Sequence, residues 1–515
     1  MEANSRTAKS IKNSSVALVF YFINLTLQFF SRKIFLDYLG TEVLGLNTTA
    51  TSLLQFLNIA EMGIGAAVAC TLYKPLFEKD TKTISEIVSL QGWFYHRIAW
   101  FIIGASAVLM CFFPWIFDEM TLPLWYAYAS FSVLLLSSLL GYFLNYKQIV
   151  LSANQQDYKI QYSYRTTMLI KTISQMIAIK YLDNGYVWWL VLETLFAFAA
   201  SIALNRVIRK TCPYLKTHIS RGKELSKKYP DVIVKVKQIF VHKINAVAVG
   251  QLTPVIIFSF VSLADVAIYG NYTLITTGLV GLFSAMTNGM AASVGNLVAS
   301  TSESGPVRSV FGQLFTLRYV IVTSCCFLMF YLTPSFITLW VGSEFLLDNK
   351  SFIAIVVILY LTMSRGHVEQ FTAAYGMFYD VWAAIAEAFS ILLFSILGGV
   401  YFGLHGILWG TAAGMALFVF GWKPIFLFVY GFKEGIQAYY LKYLLYIVIT
   451  AGCWTACHQL FQKFTIEPSA SLGNFILCGI LYFGLFCSLQ LCLLALASND
   501  FRLLYKRFFI KKHIR

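Results

Sequence analysis

The chain has 515 residues, of which 58% are hydrophobic and 12% charged. Soluble globular chains carry roughly 25% charged residues, so there is too little polar surface here to clothe the several domains a soluble chain of this length would form. A formal net charge of +15 raises nucleic acid as a partner, but the placement of that charge argues against it.

Apolar residues fall in long runs separated by short charged stretches. A bilayer-spanning helix needs about 20 mostly apolar residues. By that ruler the sequence predicts an all-α polytopic membrane protein with fourteen spans. The first six centre on Ile23, Leu57, Gly104, Leu135, Ile173 and Phe196, and the next six on Leu252, Leu282, Phe327, Ile358, Leu392 and Gly414. The last two centre on Val448 and Leu485. The first run, Ser15 to Phe30, has no small-x-small cleavage site and flows into Ser31-Arg32-Lys33, so it is expected to be retained as a span.

Positive residues gather in cytoplasmic loops of membrane proteins. Here Arg6, Lys9 and Lys12 precede the first span, and Lys74, Lys79 and Lys82 follow the second. A dense set from Arg206 and Arg209 through Lys227, Lys228 and Lys237 follows the sixth, and Arg502, Lys506, Arg507, Lys511, Lys512 and Arg515 follow the last. The alternate loops hold only Arg32, Lys33, Lys180, Lys350 and Lys463. This segregation places both termini in the cytoplasm and explains the basic balance as a topology signal. Tryptophans near span ends, such as Trp93, Trp115, Trp125, Trp188, Trp189 and Trp340, fit interfacial anchoring. The cysteines lie mostly inside apolar runs and show no metal-ligand spacing; Cys453, Cys457 and His458 read as helix-packing residues. No metal, cofactor or catalytic residue is expected.

Two segments echo each other at an offset of 224 residues: Leu39 matches Leu263, Asn47 matches Asn271, Met62 matches Met286, Gly65 matches Gly289 and Ala67 matches Ala291. The basic stretch from Arg206 to Lys243 falls at the repeat boundary. The expected organisation is an N-terminal lobe at 1–210 (spans one to six), a basic cytoplasmic linker at 211–235 and a C-terminal lobe at 236–435 (spans seven to twelve). Two further spans and a basic tail occupy 436–515. Parallel repeats of this kind are a recurrent transporter design with the substrate site at their interface. Gly278, Gly281, Ala285, Gly289, Ala291, Ala292 and Gly295 in one span favour close helix packing. Pro254, after Gln251, interrupts the backbone ladder of span seven.

Ionisable residues within spans are costly and face a cavity or a partner. The sequence places Glu61 mid-span, Arg97 beside His96 at the start of span three, Arg165 and Lys171 in span five and Glu193 in span six. Arg365, His367 and Glu369 interrupt span ten, and Glu387 lies in span eleven. Arg365 and Glu369 are four apart and share a helical face, so they can pair. Glu61 has no basic residue within a turn; it must reach another helix, line water or carry a proton. Lys171 and Glu193, near expected span ends, read as snorkelling to the interface. The arginines present planar forks suited to phosphate oxygens and so point to an anionic substrate.

The run from Arg32 through Leu39-Gly40-Thr41-Glu42 to Asn47, followed by Ala60-Glu-Met-Gly-Ile-Gly65 and Leu72-Tyr-Lys-Pro75, resembles the Wzx-type oligosaccharide flippases of the multidrug/oligosaccharidyl-lipid/polysaccharide exporter superfamily. Ile337 to Gly342, Ala374-Tyr-Gly376 with Asp380 and Glu387, and Gly406 to Thr411 are similar as well, so the resemblance covers nearly the whole chain. It implies two six-helix lobes plus two helices, a central cationic cavity and alternating access. It implies a cargo of undecaprenyl-diphosphate-linked oligosaccharide, moved from the cytoplasmic to the outer leaflet of the bacterial cell (inner) membrane for surface polysaccharide biosynthesis. Arg32 and Arg365 are the candidate substrate-binding residues. Glu61 and Glu369 are the candidate coupling or gating residues, with H+ or Na+ as the coupling ion. The family pattern commonly has Leu where Met62 stands and a basic residue just after Asp380, where this chain has Val381 and Trp382.

Two other readings stand beside this one. A drug or cation antiporter of the same superfamily would share the fold but would not explain the Arg32-to-Asn47 run as well. A membrane-embedded sugar polymerase or glycosyltransferase needs a sizeable outward loop, and the stretches Phe117 to Met120, Tyr181 to Asn184 and Gly342 to Lys350 are short.

Overall fold

The computed structural model describes residues 2–61, 64–118, 120–154, 156–230, 232–234, 236, 252–300, 304–377, 379–464 and 466–505. Met62, Lys237, Lys243, Gln251 and the basic residues from Lys506 onward lie outside the described residues. Among those described, every regular element is helical, which lets a chain in hydrocarbon satisfy its own backbone donors and acceptors. Among the described residues ten helices are long and apolar enough to cross a membrane. The protein is an all-α polytopic membrane protein, as expected.

Three of the fourteen expected spans do not appear among the ten helices for physical reasons, and a fourth, the seventh, lies mostly outside the described residues. Helix α1 (Glu2–Leu57) holds the first span and the start of the second without a loop, because the chain turns at Gly40, where φ is 84° and ψ 170°. A side chain is disfavoured at such a φ, and the space around Gly40 is otherwise open. The second span then breaks at a 3-10 turn, Asn58–Glu61, before α2 (Ile64–Glu78). Spans eleven and twelve likewise merge in Val381–Phe432, divided at Gly403. The expected fifth span yields only a 16-residue helix, Thr166–Tyr181, after a π turn at Gln161–Arg165. Of the seventh, only 252–260, which includes Pro254, is described.

The helices gather into two compact units, Met1–Gly270 and Asn271–Arg515. In the first, α3 (Thr81–Cys111), α4 (Trp125–Phe143), α5 (Thr166–Tyr181) and α6 (Gly185–Thr211) pack with α1 and α2. One core joins Leu72, Val88, Tyr142, Val150 and Leu204; another joins Leu46, Leu54, Phe113, Phe131 and Leu263. Lipid tails are as apolar as these side chains, so close fit holds the helices together. Gly45 shows how close: a methyl group there would lie 2.0 Å from the Leu263 carbonyl oxygen.

The second unit begins within α7 (Leu263–Ser300) and continues with α8 (Ser304–Trp340), α9 (Asn349–Ser364), α10 (Gly366–Ala374), α11 (Val381–Ala416), α12 (Gln437–Phe461) and α13 (Leu472–Ala497). Its aromatic core includes Phe311, Phe315, Phe371, Phe428, Tyr439 and Tyr446. A second cluster stacks Phe327 on Phe486 at 4.0 Å, with Cys453 and Cys457 buried beside them as packing residues.

Within α11 the chain folds back on itself at Gly403 (φ 61°). The two arms touch through glycine: a methyl group on Gly398 would lie 2.1 Å from the Gly406 carbonyl oxygen, and one on Gly410 would lie 2.2 Å from that of Phe394. The Ser395 and Thr411 hydroxyls share a hydrogen bond at 2.9 Å across the same seam. We expect Gly410→Val to split this hairpin at a cost of roughly 1–3 kcal/mol or more, the usual result of overpacking. Gly104→Val, where the site is open, should change little. Thermal melting in detergent, followed by size-exclusion chromatography, distinguishes the two; equal melting points would contradict the packing account.

Candidate functional site

Glu61 sits at the break in the second span. Its Oε1 accepts a hydrogen bond from the Tyr95 hydroxyl of α3 at 2.7 Å. Three residues earlier, Asn58 Oδ1 accepts from the Tyr142 hydroxyl at 3.0 Å and from Ser138 at 3.3 Å, both on α4. The turn therefore aims polar side chains at two neighbouring helices. Gly65 lies beside the Tyr95 hydroxyl, which a methyl group there would meet in ordinary van der Waals contact at 3.6 Å. Gln91, one turn before Tyr95, is buried, and among the described residues its Oε1 has no hydrogen-bond partner. Of the three outcomes open to Glu61, the structure shows contact with another helix. Among the described residues no cation lies within ion-pair distance of it.

Arg32 lies in α1 before the Gly40 turn, and its Nη2 donates to the Ala267 carbonyl at 2.7 Å. The guanidinium lies against Gly270, where a methyl group would come within 2.3 Å of Nη2. Its neighbour Lys33 pairs with Asp37 at 3.6 Å.

In the second unit Arg365 stands at the junction of α9 and α10. The expected pair with Glu369 is present at 2.6 Å. A second carboxylate also holds it: Nη1 and Nη2 donate to the two oxygens of the fully buried Glu387, at 3.1 and 3.3 Å. One guanidinium thus faces two carboxylates. The adjacent His367 is buried among Phe311 and Phe315; its Nδ1 donates to the Ser364 carbonyl at 2.6 Å, and Nε2 lies 3.1 Å from the Tyr439 hydroxyl.

Arg318 is a residue that the sequence reading passed over. It lies inside α8, with Nε donating to the Met363 carbonyl at 2.7 Å and its guanidinium 4.7 Å from the Phe283 ring. Gly366 makes room for it; a methyl group there would lie 2.3 Å from Nη2. Among the described residues no carboxylate is within ion-pair distance of Arg318. The signal was in the sequence: besides Arg308 near its start, the apolar run Gly305–Trp340 holds an arginine deep inside it, flanked by Leu317 and Tyr319.

Most of the other charges expected in spans have partners of their own. Lys171 and Glu193, expected to snorkel, instead pair between α5 and α6 at 2.7 Å, and Gln175 adds a hydrogen bond to Glu193 at 3.0 Å. Arg97 stacks over Trp93 at 3.9 Å, and Arg165 is exposed at the π turn. Asp380, whose sequence neighbours lack the basic residue of the family pattern, is met by Lys423 at 2.7 Å from the far end of the hairpin. A cleft of ≈ 570 Å³ in the second unit is lined by Tyr319, Val356, Tyr360, Ile447 and Trp454 and is almost wholly apolar. Gln490, behind it, donates to Thr323 at 2.8 Å and Thr450 at 3.1 Å.

No protein-family model and no curated protein matches the chain. Among solved structures it is similar to the lipid II flippase MurJ in an inward closed conformation, with a TM-score of 0.65 and 15% identity over 93% of this chain and 98% of that one. It is also similar to a multidrug resistance MATE family transporter of the MOP superfamily in an inward-facing conformation. That TM-score is 0.59, with 11% identity over 80% of this chain and 97% of the other. At these identities the likeness is one of fold, and it spans nearly the full length of both transporters.

The ion pairs allow structural charges to be separated from candidate functional ones. Glu193→Gln alone should strand the Lys171 ammonium and cost roughly 3–5 kcal/mol, as breaking a buried pair does. Replacing both partners by apolar residues, Lys171→Met with Glu193→Leu, should recover most of that stability. Melting temperatures of the purified variants test this; a double variant no better than the single one would contradict a purely structural pair.

Proposed function

We propose that the protein is a flippase, not an enzyme, that moves an undecaprenyl-diphosphate-linked oligosaccharide across the bacterial cell membrane for surface polysaccharide biosynthesis. It would work by alternating access coupled to H+ or Na+, between lobes at 1–210 and 236–435 and with both termini cytoplasmic. The observation that carries this reading is Arg318: a guanidinium inside an apolar helix, held by a backbone carbonyl and an aromatic ring. A carbonyl leaves the positive charge in place, and a phosphate, like a carboxylate, offers paired oxygens that match the guanidinium fork.

On this reading Arg32 and Arg365 contribute the further positive charge for the diphosphate. Arg365 does so by exchanging a carboxylate for a phosphate: Glu369, the more exposed of its two partners, releases it when it takes up a proton or Na+. Glu61 is the corresponding coupling carboxylate of the first unit, with Tyr95 as the donor that follows its state. The apolar cleft beside Tyr319 and Trp454 suits hydrocarbon, which supports a lipid-borne cargo. The Arg32-to-Asn47 run, with its resemblance to oligosaccharide flippases, supports the glycan. A cationic drug, the cargo of the rival reading, would be repelled by the same arginines.

Transport of a lipid-linked oligosaccharide by variants of unchanged expression tests the assignment. Arg318→Gln and Arg32→Gln should each lower the rate roughly 10–100-fold, the worth of one charged hydrogen bond, while Lys at either position retains part of it. Glu61→Gln should impair transport at every proton and sodium gradient. The double variant Arg365→Gln with Glu369→Gln should stay inactive; restored transport would remove Arg365 from the substrate site and leave it a structural ion pair.

A further inference from the structure

Helix α6 carries an exposed apolar stripe on one face. Leu195, Phe198 and Ile202 are 59%, 41% and 50% exposed. Their spacing of three and four residues keeps them in register on a helix with 3.6 residues per turn. The next positions on the same face are Arg206 and Arg209, both exposed. Positive charge at this end of a span is accounted for by topology and by the helix dipole. Its register, directly below the apolar stripe, is accounted for by neither.

A third cation joins from the end of α4. Lys147, in the turn Asn145–Gln148, is half-buried over the Tyr146 ring, whose hydroxyl is tied to Thr217 at 3.3 Å. Burial, and behind it the charge of Arg209, hold its ammonium below the usual lysine range. The turn packs on α6, where the Asn145 amide donates to the Ser201 hydroxyl at 2.9 Å and the Asn205 amide to Asn145 Oδ1 at 3.1 Å, and among the described residues no carboxylate forms an ion pair with Lys147, Arg206 or Arg209. Two carboxylates of the same unit are already engaged: Glu86 with Lys228 at 2.5 Å and Glu224 with Arg221 at 2.8 Å. These contacts, with His218 donating its backbone N–H to Ser89 at 2.9 Å, fold the basic segment after α6 onto α3.

We propose that this face binds an anionic glycerophospholipid, with acyl chains along Leu195, Phe198 and Ile202 and the phosphate held by Arg206, Arg209 and Lys147. The apolar stripe selects a lipid over a free anion, and the three cations select a negatively charged headgroup over a zwitterionic one. This site is separate from the residues assigned to the cargo.

Native mass spectrometry of the full-length protein in detergent, titrated with phosphatidylglycerol, phosphatidylcholine or inorganic phosphate, tests the proposal. Phosphatidylglycerol should bind with a marked preference and should not be displaced by phosphate. The triple variant Lys147→Gln, Arg206→Gln, Arg209→Gln should weaken it on the order of 100-fold, at about one kcal/mol per surface cation. Removing the same charge off the face, by Lys216→Gln, Lys223→Gln and Lys227→Gln, should leave binding unchanged. Phe198→Ser, which keeps every charge, should weaken binding as well. Equal losses in the two triple variants, competition by phosphate, or unchanged binding in Phe198→Ser would each overturn the proposal.

Discussion

A charge or an open hydrogen-bonding group in hydrocarbon has no water to turn to, so the protein must supply its partner. Much of what distinguishes this chain follows from that constraint. Lys171 meets Glu193, Arg365 meets Glu369 and Glu387, Asp380 meets Lys423, and Arg318 turns to a backbone carbonyl. Ion pairs between helices neutralise charge and fix helix neighbours. A guanidinium bound to a carbonyl is different, because its charge is still there to attract an anion. Arg318 is therefore singled out by what holds it as much as by where it lies.

The same constraint limits where helices can break. Backbone groups freed by a break need internal partners, and the breaks here fall beside polar side chains or tight glycine packing. The turn at Asn58–Glu61 presents Glu61 to Tyr95 and Asn58 to Tyr142 and Ser138. The reversal at Gly403 brings Gly398 and Gly406 into backbone contact and carries Lys423 back to Asp380. Gly40 turns α1 between Arg32 and the residues that approach Leu263. Glu61 and Arg365 stand at breaks of this kind, whereas Arg318 lies within one continuous helix.

The all-helical membrane fold was legible because long apolar runs have few other physical outcomes. The Arg365–Glu369 pair was legible for a similar reason, since residues four apart on a helix are neighbours. Contacts between helices were not. Tyr95 follows Glu61 by a whole helix, Lys423 reaches Asp380 only because Gly403 reverses the chain, and Glu387 is brought to Arg365 by packing. Lys171 and Glu193 were read as snorkelling because their nearness to span ends is visible in sequence, whereas their nearness to each other is not. Two of the expected spans merge with a neighbour because sequence hydropathy cannot tell a glycine turn from a loop. Arg318 was overlooked although its signal, an arginine well inside an apolar run, was as clear as that of Arg365.

The central claim is that fixed positive charge inside the helices serves a lipid-borne anionic cargo. Liposomes reconstituted with the protein and a fluorescent undecaprenyl-diphosphate-linked oligosaccharide measure this directly, by the fraction of glycan that becomes accessible on the opposite leaflet. The account predicts gradient-dependent translocation by the native protein that falls sharply in Arg318→Gln. Absence of glycan translocation, with transport of a cationic drug by the same liposomes, would contradict it.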